Sequence, residues 1–205
     1  LFDADSQKER LRLTIGERFY FSNQRVTLGL GETARDRNSS DLLLSVRGRL
    51  TDDLYVEGNT QFDANLGRTE RFAVGLRYSP DRSRTLNVNY RSIRELVTMS
   101  GPMSVKQVDV SGQWPIYRNL YAVGRLNYSI ADRHTTESVI GLEYDGCCYV
   151  IRAVAQRITT STSTATTAAF LQLELNGLGR VGPSPLDVLK RNIPGYSLLY
   201  ENPTR

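Results

Sequence analysis

Apolar and polar residues alternate with a period of two along most of this chain. Phe72, Val74, Leu76 and Tyr78 interleave with Arg71, Ala73, Gly75 and Arg77, and Leu86, Val88 and Tyr90 with Asn87, Asn89 and Arg91. Leu120, Ala122, Gly124, Leu126, Tyr128 and Ile130 interleave with Tyr121, Val123, Arg125, Asn127 and Ser129. Successive side chains of an extended strand point to opposite faces, so this pattern builds strands with one apolar and one polar face. It predicts ten strands, at about 9–21, 41–50, 53–63, 70–79, 84–92, 105–114, 119–131, 136–145, 148–159 and 168–176. No helical periodicity of useful length precedes residue 183. The fold class is therefore all-β and antiparallel.

Three features turn that sheet into a transmembrane β-barrel rather than a soluble sandwich. Connections alternate in length, with longer ones at 22–40, 64–69, 93–104, 132–135 and 160–167 and short turns at 51–52, 80–83, 115–118 and 146–147. Outer-membrane barrels have short periplasmic turns and longer outer loops, which puts the 146–147 turn and the C-terminus on the periplasmic side. Large aromatics sit near strand ends (Phe19, Phe21, Tyr55, Phe62, Tyr78, Tyr90, Trp114, Tyr121, Tyr128, Tyr144, Tyr149), as in the girdles at two membrane interfaces. Several strands reach the nine or so residues that a tilted membrane strand needs. No apolar run approaches the roughly 20 residues of a transmembrane helix.

The chain starts Leu1-Phe-Asp-Ala-Asp, which is neither a signal peptide nor a capped start, and it reads as a segment of a longer chain. Residues 1–178 are then barrel wall; ten strands could close a small barrel, but a complete one would not begin mid-chain. Residues 179–205, with prolines at 183, 185, 194 and 203, form a C-terminal tail; a short helix is expected from Pro185 to Asn192.

Charge sharpens the picture of the polar faces. Of 26 basic residues only Lys8, Lys106 and Lys190 are lysines. Arginine suits bidentate bonding to phosphate and carboxylate, although an arginine-rich composition alone gives the same count. Arg12, Arg18, Arg47, Arg49, Arg71, Arg77, Arg91, Arg125 and Arg152 lie opposite the apolar faces. If those faces meet lipid, the arginines enter the lumen, to pair with acids such as Glu57 and Glu143 or to touch an anionic cargo. Nucleic acid is disfavoured, because aromatics and arginines occupy opposite faces and leave no stacking platform.

Candidate chemistry is sparse. His134, the only histidine, lies in a polar loop; a hydrolase would need it beside a serine in the fold. One histidine and two adjacent cysteines make no zinc spacing, so no metal is expected. Gly177-Leu-Gly-Arg-Val-Gly182 has the literal dinucleotide spacing. No second βα unit follows it, so its glycines are expected to turn the chain out of the wall, and no cofactor is expected. Thr159 to Thr167 is a polar, low-complexity outer loop.

The most specific stretch is a hairpin. Ser138, Ile140, Leu142 and Tyr144 alternate with Glu137, Val139, Gly141 and Glu143 before Asp145-Gly146. Tyr149, Ile151, Ala153 and Ala155 alternate with Val150, Arg152, Val154 and Gln156 after Cys147-Cys148. Adjacent Cα atoms lie about 3.8 Å apart, short of the roughly 4.4–6.8 Å of an unstrained disulfide. An oxidised pair therefore reaches different cysteines, and the 205 residues hold no others. The partners would lie in further sequence or in another chain.

Gly141-Leu-Glu-Tyr-Asp-x-Cys-Cys with Arg152, then Phe170-Leu-Gln-Leu-Glu-Leu-x-Gly-Leu and Ile193-Pro-Gly-Tyr196, resembles the C-terminal part of the LPS-assembly protein (LptD, OstA) family. The resemblance is specific over 137–196 and diffuse over 9–131. It implies a non-enzymatic lipopolysaccharide (LPS) translocon of the Gram-negative outer membrane, a giant barrel plugged by an LptE-type lipoprotein, of which residues 1–178 would be the C-terminal portion. LPS would arrive from a periplasmic bridge protein through an N-terminal domain and leave sideways between the first and last strands. The last strand would be the one carrying Ala169, Phe170, Leu171, Gln172, Leu173, Glu174 and Leu175. Cys147 and Cys148 would be disulfide-bonded to upstream cysteines, and Arg77, Arg91, Arg125 and Arg152 would face the lumen for LPS or ion pairs. A general porin is the alternative.

Overall fold

The computed structural model describes residues 1–2, 9–21, 39–64, 66–98, 101–161, 164–176 and 178–199. Within them the chain is one antiparallel sheet in which every strand pairs with its neighbours in sequence. The strands are β1 (Leu11–Gly16), β2 (Leu42–Arg49), β3 (Leu54–Asp63), β4 (Arg68–Asp81), β5 (Arg84–Thr98) and β6 (Gly101–Tyr117). They continue with β7 (Leu120–Ser129), β8 (His134–Asp145), β9 (Tyr149–Ser161), β10 (Thr164–Leu175) and β11 (Gly179–Val181). One helix, α1 (Leu186–Asn192), follows. The ten predicted strands are all present. The three-residue β11 is an addition, and β1 is shorter than expected, followed by a lone bridge from Phe19 to Ser39. Most of the 22–40 connection lies outside the described residues.

Burial is inverted relative to a soluble domain. Thr85, Asn87, Ser111, Gln113, Glu143, Arg152 and Gln172 are buried, whereas Leu76, Leu86, Val88, Val110, Leu126, Ile140, Leu142, Ile151 and Leu171 are exposed. Register explains this. Asn87 faces Ser111, Ser111 faces Arg125, Glu143 faces Arg152 and Arg152 faces Gln172, so one parity of β5 to β10 makes a largely polar inner face. The other parity makes an apolar outer face. Such an apolar surface on a sheet is the lipid-facing side of a membrane barrel wall.

Aromatics on the outer face form two bands. Tyr78 stacks on Trp114 at 6.3 Å and Tyr144 meets Tyr149 at 6.2 Å near the short-turn end of the sheet. Phe72 meets Tyr90 at 6.2 Å towards the other end. Six residues separate Phe72 from Tyr78, roughly 20 Å along a strand. Tyr55 and Tyr121 do not belong to these bands. They share the inner parity, opposite Arg77 and Glu143, and the Arg77 guanidinium lies 5.8 Å from the Tyr55 ring centroid. Position near a strand end was a correct cue for the girdles; parity had to decide the face.

Loop lengths alternate less than expected. The segments read as loops at 93–104 and 160–167 are largely strand: β5 and β6 pair as far as Thr98 with Gly101, and β9 and β10 as far as Ser161 with Thr164. β4 follows β5 only to Ile93, and β7 follows β6 only to Gln107. The β5–β6 hairpin thus continues as a two-stranded ribbon beyond the sheet. Its outward-facing backbone groups can be bonded by water there, which lipid could not do.

The chain leaves β11 by a sharp bend that requires glycine. Gly182 has φ +97°, and a Cβ there would sit 2.3 Å from the Leu171 carbonyl oxygen. Beyond it α1 presents Leu186, Val188, Leu189 and Asn192 to the sheet's inner face. Asp187 in its first turn and Lys190 and Arg191 in its last complement the helix dipole.

The outer face yields a first expectation. Ile140, at mid-strand and 72% exposed, should not tolerate charge. Ile140→Arg should lower unfolding stability in bilayers by about 2–4 kcal/mol, whereas Asn127→Arg on the inner face should change it little. Urea titration of the refolded barrel measures both.

Candidate functional site

Two features stand out on this wall: a buried polar network on the inner face, and the cysteine turn at the end of β8–β9. Both draw on the same strands.

The network starts from register. Glu143 and Arg152 are cross-strand partners on the inner face, with side chains 0% and 1% exposed. Arg152 Nε donates to Glu143 Oε1 at 3.0 Å, and its Nη1 donates to Glu174 Oε2 at 2.5 Å and Gln172 Oε1 at 3.3 Å. Gln113 Nε2 donates to the second Glu143 oxygen at 2.9 Å. Arg180 of β11 closes the far side on Glu174 at 2.8 Å. The tail then adds its own donor: Tyr196 Oη reaches Glu143 Oε1 at 2.6 Å. Burial first, then the facing carboxylate, push the Tyr196 phenol up, so it remains a hydrogen-bond donor. Ser197 exchanges backbone bonds with the Gln113 amide, N–H to Oε1 and Nε2 to its carbonyl, both at 3.1 Å.

A second cluster centres on Arg125, which donates to Asp109 at 2.6 Å, Glu137 at 2.9 Å and Asn192 of α1. Arg77 donates to Asn87 at 3.0 Å and Arg91 to Gln107 at 2.6 Å, both neutral partners. The four arginines singled out from sequence thus divide. Arg125 and Arg152 are bound to carboxylates, and the hydrogen-bond partners of Arg77 and Arg91 among the described residues are neutral. Sequence reading named Glu143 but missed its partners Gln113 and Tyr196, as well as Ser197 on Gln113 and Asn192 on Arg125. Strand parity could have supplied Gln113; nothing local signals the tail residues.

At the turn, both cysteines are free and exposed, their sulfurs 3.7 Å apart. Hydrogen bonding to the neighbouring Cys148 sulfur, and that sulfur's charge when ionised, hold the Cys147 thiol above its ordinary value. Cys147 adopts φ 65°, a left-handed conformation uncommon for a residue with a side chain. Its N–H is met by Asp145 Oδ1 at 3.3 Å. Asn176, just past β10, grips both cysteines: its N–H donates to the Cys148 carbonyl and its side-chain amide to the Cys147 carbonyl, each at 2.9 Å. A Cβ on Gly146 would lie 2.4 Å from the Tyr149 ring, so the ring can rest over the turn because this position is glycine. The turn is a shaped platform that presents two thiols outward.

β10 bears on one edge the full ladder to β9 and on the other only three pairs, Leu173–Val181, Glu174–Arg180 and Leu175–Gly179. From Thr164 to Gln172 that second edge has no partner strand among the described residues. His134 opens β8 opposite Ser129, whose hydroxyl donates to Asp132 at 2.8 Å. Gly179 and Gly182 both have positive φ, in keeping with a turn out of the wall.

An antiparallel meander with an apolar exterior, aromatic girdles and a polar, ion-paired interior defines the wall of an outer-membrane β-barrel. Comparison with known proteins refines this. The family model "LptD: LPS transport system D" matches residues 1–120. The chain is also similar to proteins named LPS-assembly protein LptD: 44% identical over 194 residues to that of Thiobacillus denitrificans, covering 95% of this chain. To those of Azoarcus sp. and Aromatoleum aromaticum it is 41% and 40% identical, covering 96% and 98% of it. The chain belongs to the LptD family. It spans about a quarter of the length of these relatives, 24% or 25% in each case. The match includes the first half, where the sequence resemblance was diffuse.

The network sets an expectation for stability. Arg152→Met leaves Glu143 and Glu174 without their shared cation and should cost about 3–5 kcal/mol. Adding Glu143→Gln and Glu174→Gln to it should recover part of that loss. Equilibrium unfolding of the three proteins measures the recovery.

Proposed function

We propose that this chain is the C-terminal barrel portion of an outer-membrane LPS translocon, which inserts LPS into the outer leaflet without covalent chemistry. Membership of the LptD family, over nearly the whole chain, carries this reading. In it, LPS reaches the barrel from a periplasmic bridge protein through a domain in the remaining length of the protein, and an LptE-type lipoprotein plugs the lumen. β10 is the last strand of the barrel, and Ala169 to Leu175 form one side of a lateral gate whose other side is the first strand. The free edge of β10 up to Gln172 supports this, since it is available to a closing strand. A gate needs a seam that opens, and a short or interrupted ladder opens at lower cost than a full one.

Cys147 and Cys148 serve in this reading as periplasmic anchors, each bonded to a separate cysteine upstream. Their outward presentation, and the strain that a bond between neighbours would carry, favour such partners. Two bonds at one turn would fix the periplasmic domain over the lumen. Arg77 and Arg91, whose partners are neutral, are the wall cations offered to LPS phosphates, and Arg125 and Arg152 hold the wall together. The C-terminus is periplasmic by the same topology.

Depletion of the full-length protein should lower surface LPS several-fold, and Cys147→Ser with Cys148→Ser should restore it only partly. Surface LPS is read by antibody binding to intact cells. Normal surface LPS on depletion, with large ion conductance through the purified protein, would instead identify a general porin.

A further inference from the structure

We propose that residues 183–199 are a permanent strap on the lumen wall, so that cargo in this part of the barrel meets α1 rather than the strands beneath it. The wall carries a seat for it. Val123, Val139 and Val154 interrupt an otherwise polar inner face, and they lie together on β7, β8 and β9. Leu189 and Ile193, both 0% exposed, pack on these valines, joined by Val188, Phe170 and Tyr196. Gly141 lies between Val123 and Val154 in register, and a Cβ there would meet their methyl groups at 3.0 and 2.8 Å. An apolar patch in a water-filled lumen has no purpose of its own and is costly to leave open; here it matches the apolar face of α1.

Polar contacts fix the strap at both ends of this seat. Asn192 accepts from Arg125 on β7, and Tyr196 donates to Glu143 on β8. Further on, the Pro194 carbonyl accepts from Asn87 of β5 at 2.9 Å, and Ser197 bonds Gln113 of β6 and the Ser83 N–H at 2.8 Å. With Phe170 of β10 and Val154 of β9, the segment bridges six consecutive strands and holds their relative curvature. Arg152, Glu143 and Gln113 are thereby taken out of the lumen, and the exposed Asp187, Lys190 and Arg191 take their place. An anionic glycolipid would meet Lys190 and Arg191 here. That last consequence rests on the LPS reading; the strap does not.

The test uses full-length protein in isolated outer membranes. Ser83 and Ser197 hydroxyl oxygens lie 3.1 Å apart, so Ser83→Cys with Ser197→Cys are near-isosteric reporters. Mild oxidation should link the two peptides almost completely, as read by non-reducing mass spectrometry. In the single Ser197→Cys protein, thiol labelling should be slow and should speed up about tenfold on adding Tyr196→Phe, the effect of one lost charge-assisted hydrogen bond on an opening equilibrium. Unlinked thiols in the recovered double variant would overturn the strap. If the double variant is not recovered, the single one decides, and labelling as fast as in urea would overturn it. Neither readout depends on cargo, so LPS transport and the strap can fail separately.

Discussion

A carboxylate and a guanidinium shielded from water must satisfy each other and their remaining hydrogen-bonding groups, and the inner wall is arranged around one such pair. Glu143 and Arg152 face each other across β8 and β9, and every oxygen of Glu143 is used: Arg152 and Tyr196 on one, Gln113 on the other. The pair could not persist on the outer face, where lipid offers nothing to bond. Its presence therefore fixes the orientation of the sheet, because a one-residue slip of either strand would turn it into the membrane. Glu174 and Arg180 extend the same network to the last two strands.

The tail depends on this arrangement and completes it. Without Tyr196 and Ser197, Glu143 and Gln113 would open to the lumen, and the three valines would face water. With them, the last six long strands share one covered inner surface. The bilayer supplies the hydrophobic surroundings of the outer face, so the wall needs no large apolar core of its own. The small apolar cluster under α1 is local and belongs to the tail.

Much of this was legible in the sequence for a physical reason: strand periodicity and lipid exposure both act residue by residue. Alternation such as Leu120 to Ile130 located strands and faces together, and Asp145-Gly146 located the hairpin. Strand ends were less legible. Thr159 to Thr167 reads as a polar loop, yet β9 and β10 run into it, because backbone pairing in a hairpin does not require apolar side chains. The tail's placement was invisible to local pattern. Pro185 to Asn192 announced a helix, but its seat on Val123, Val139 and Val154 depends on residues that are far apart in sequence and meet only in the folded wall. The arginines were seen as lumen-facing, and only the structure separates Arg125 and Arg152, held by acids, from Arg77 and Arg91.

In the proposed reading the cysteine turn would join these elements to the rest of the protein. It ends the two strands that carry the ion pair, and Asn176 ties it to the end of β10, so a tether at Cys147 and Cys148 would act on the last long strand as well as on the hairpin. Non-reducing peptide mass spectrometry on the full-length protein from native membranes tests this most directly. The account predicts a disulfide from Cys147 and another from Cys148, each to a different cysteine outside residues 1–205. Two free thiols, or a bond between the neighbours, would contradict it.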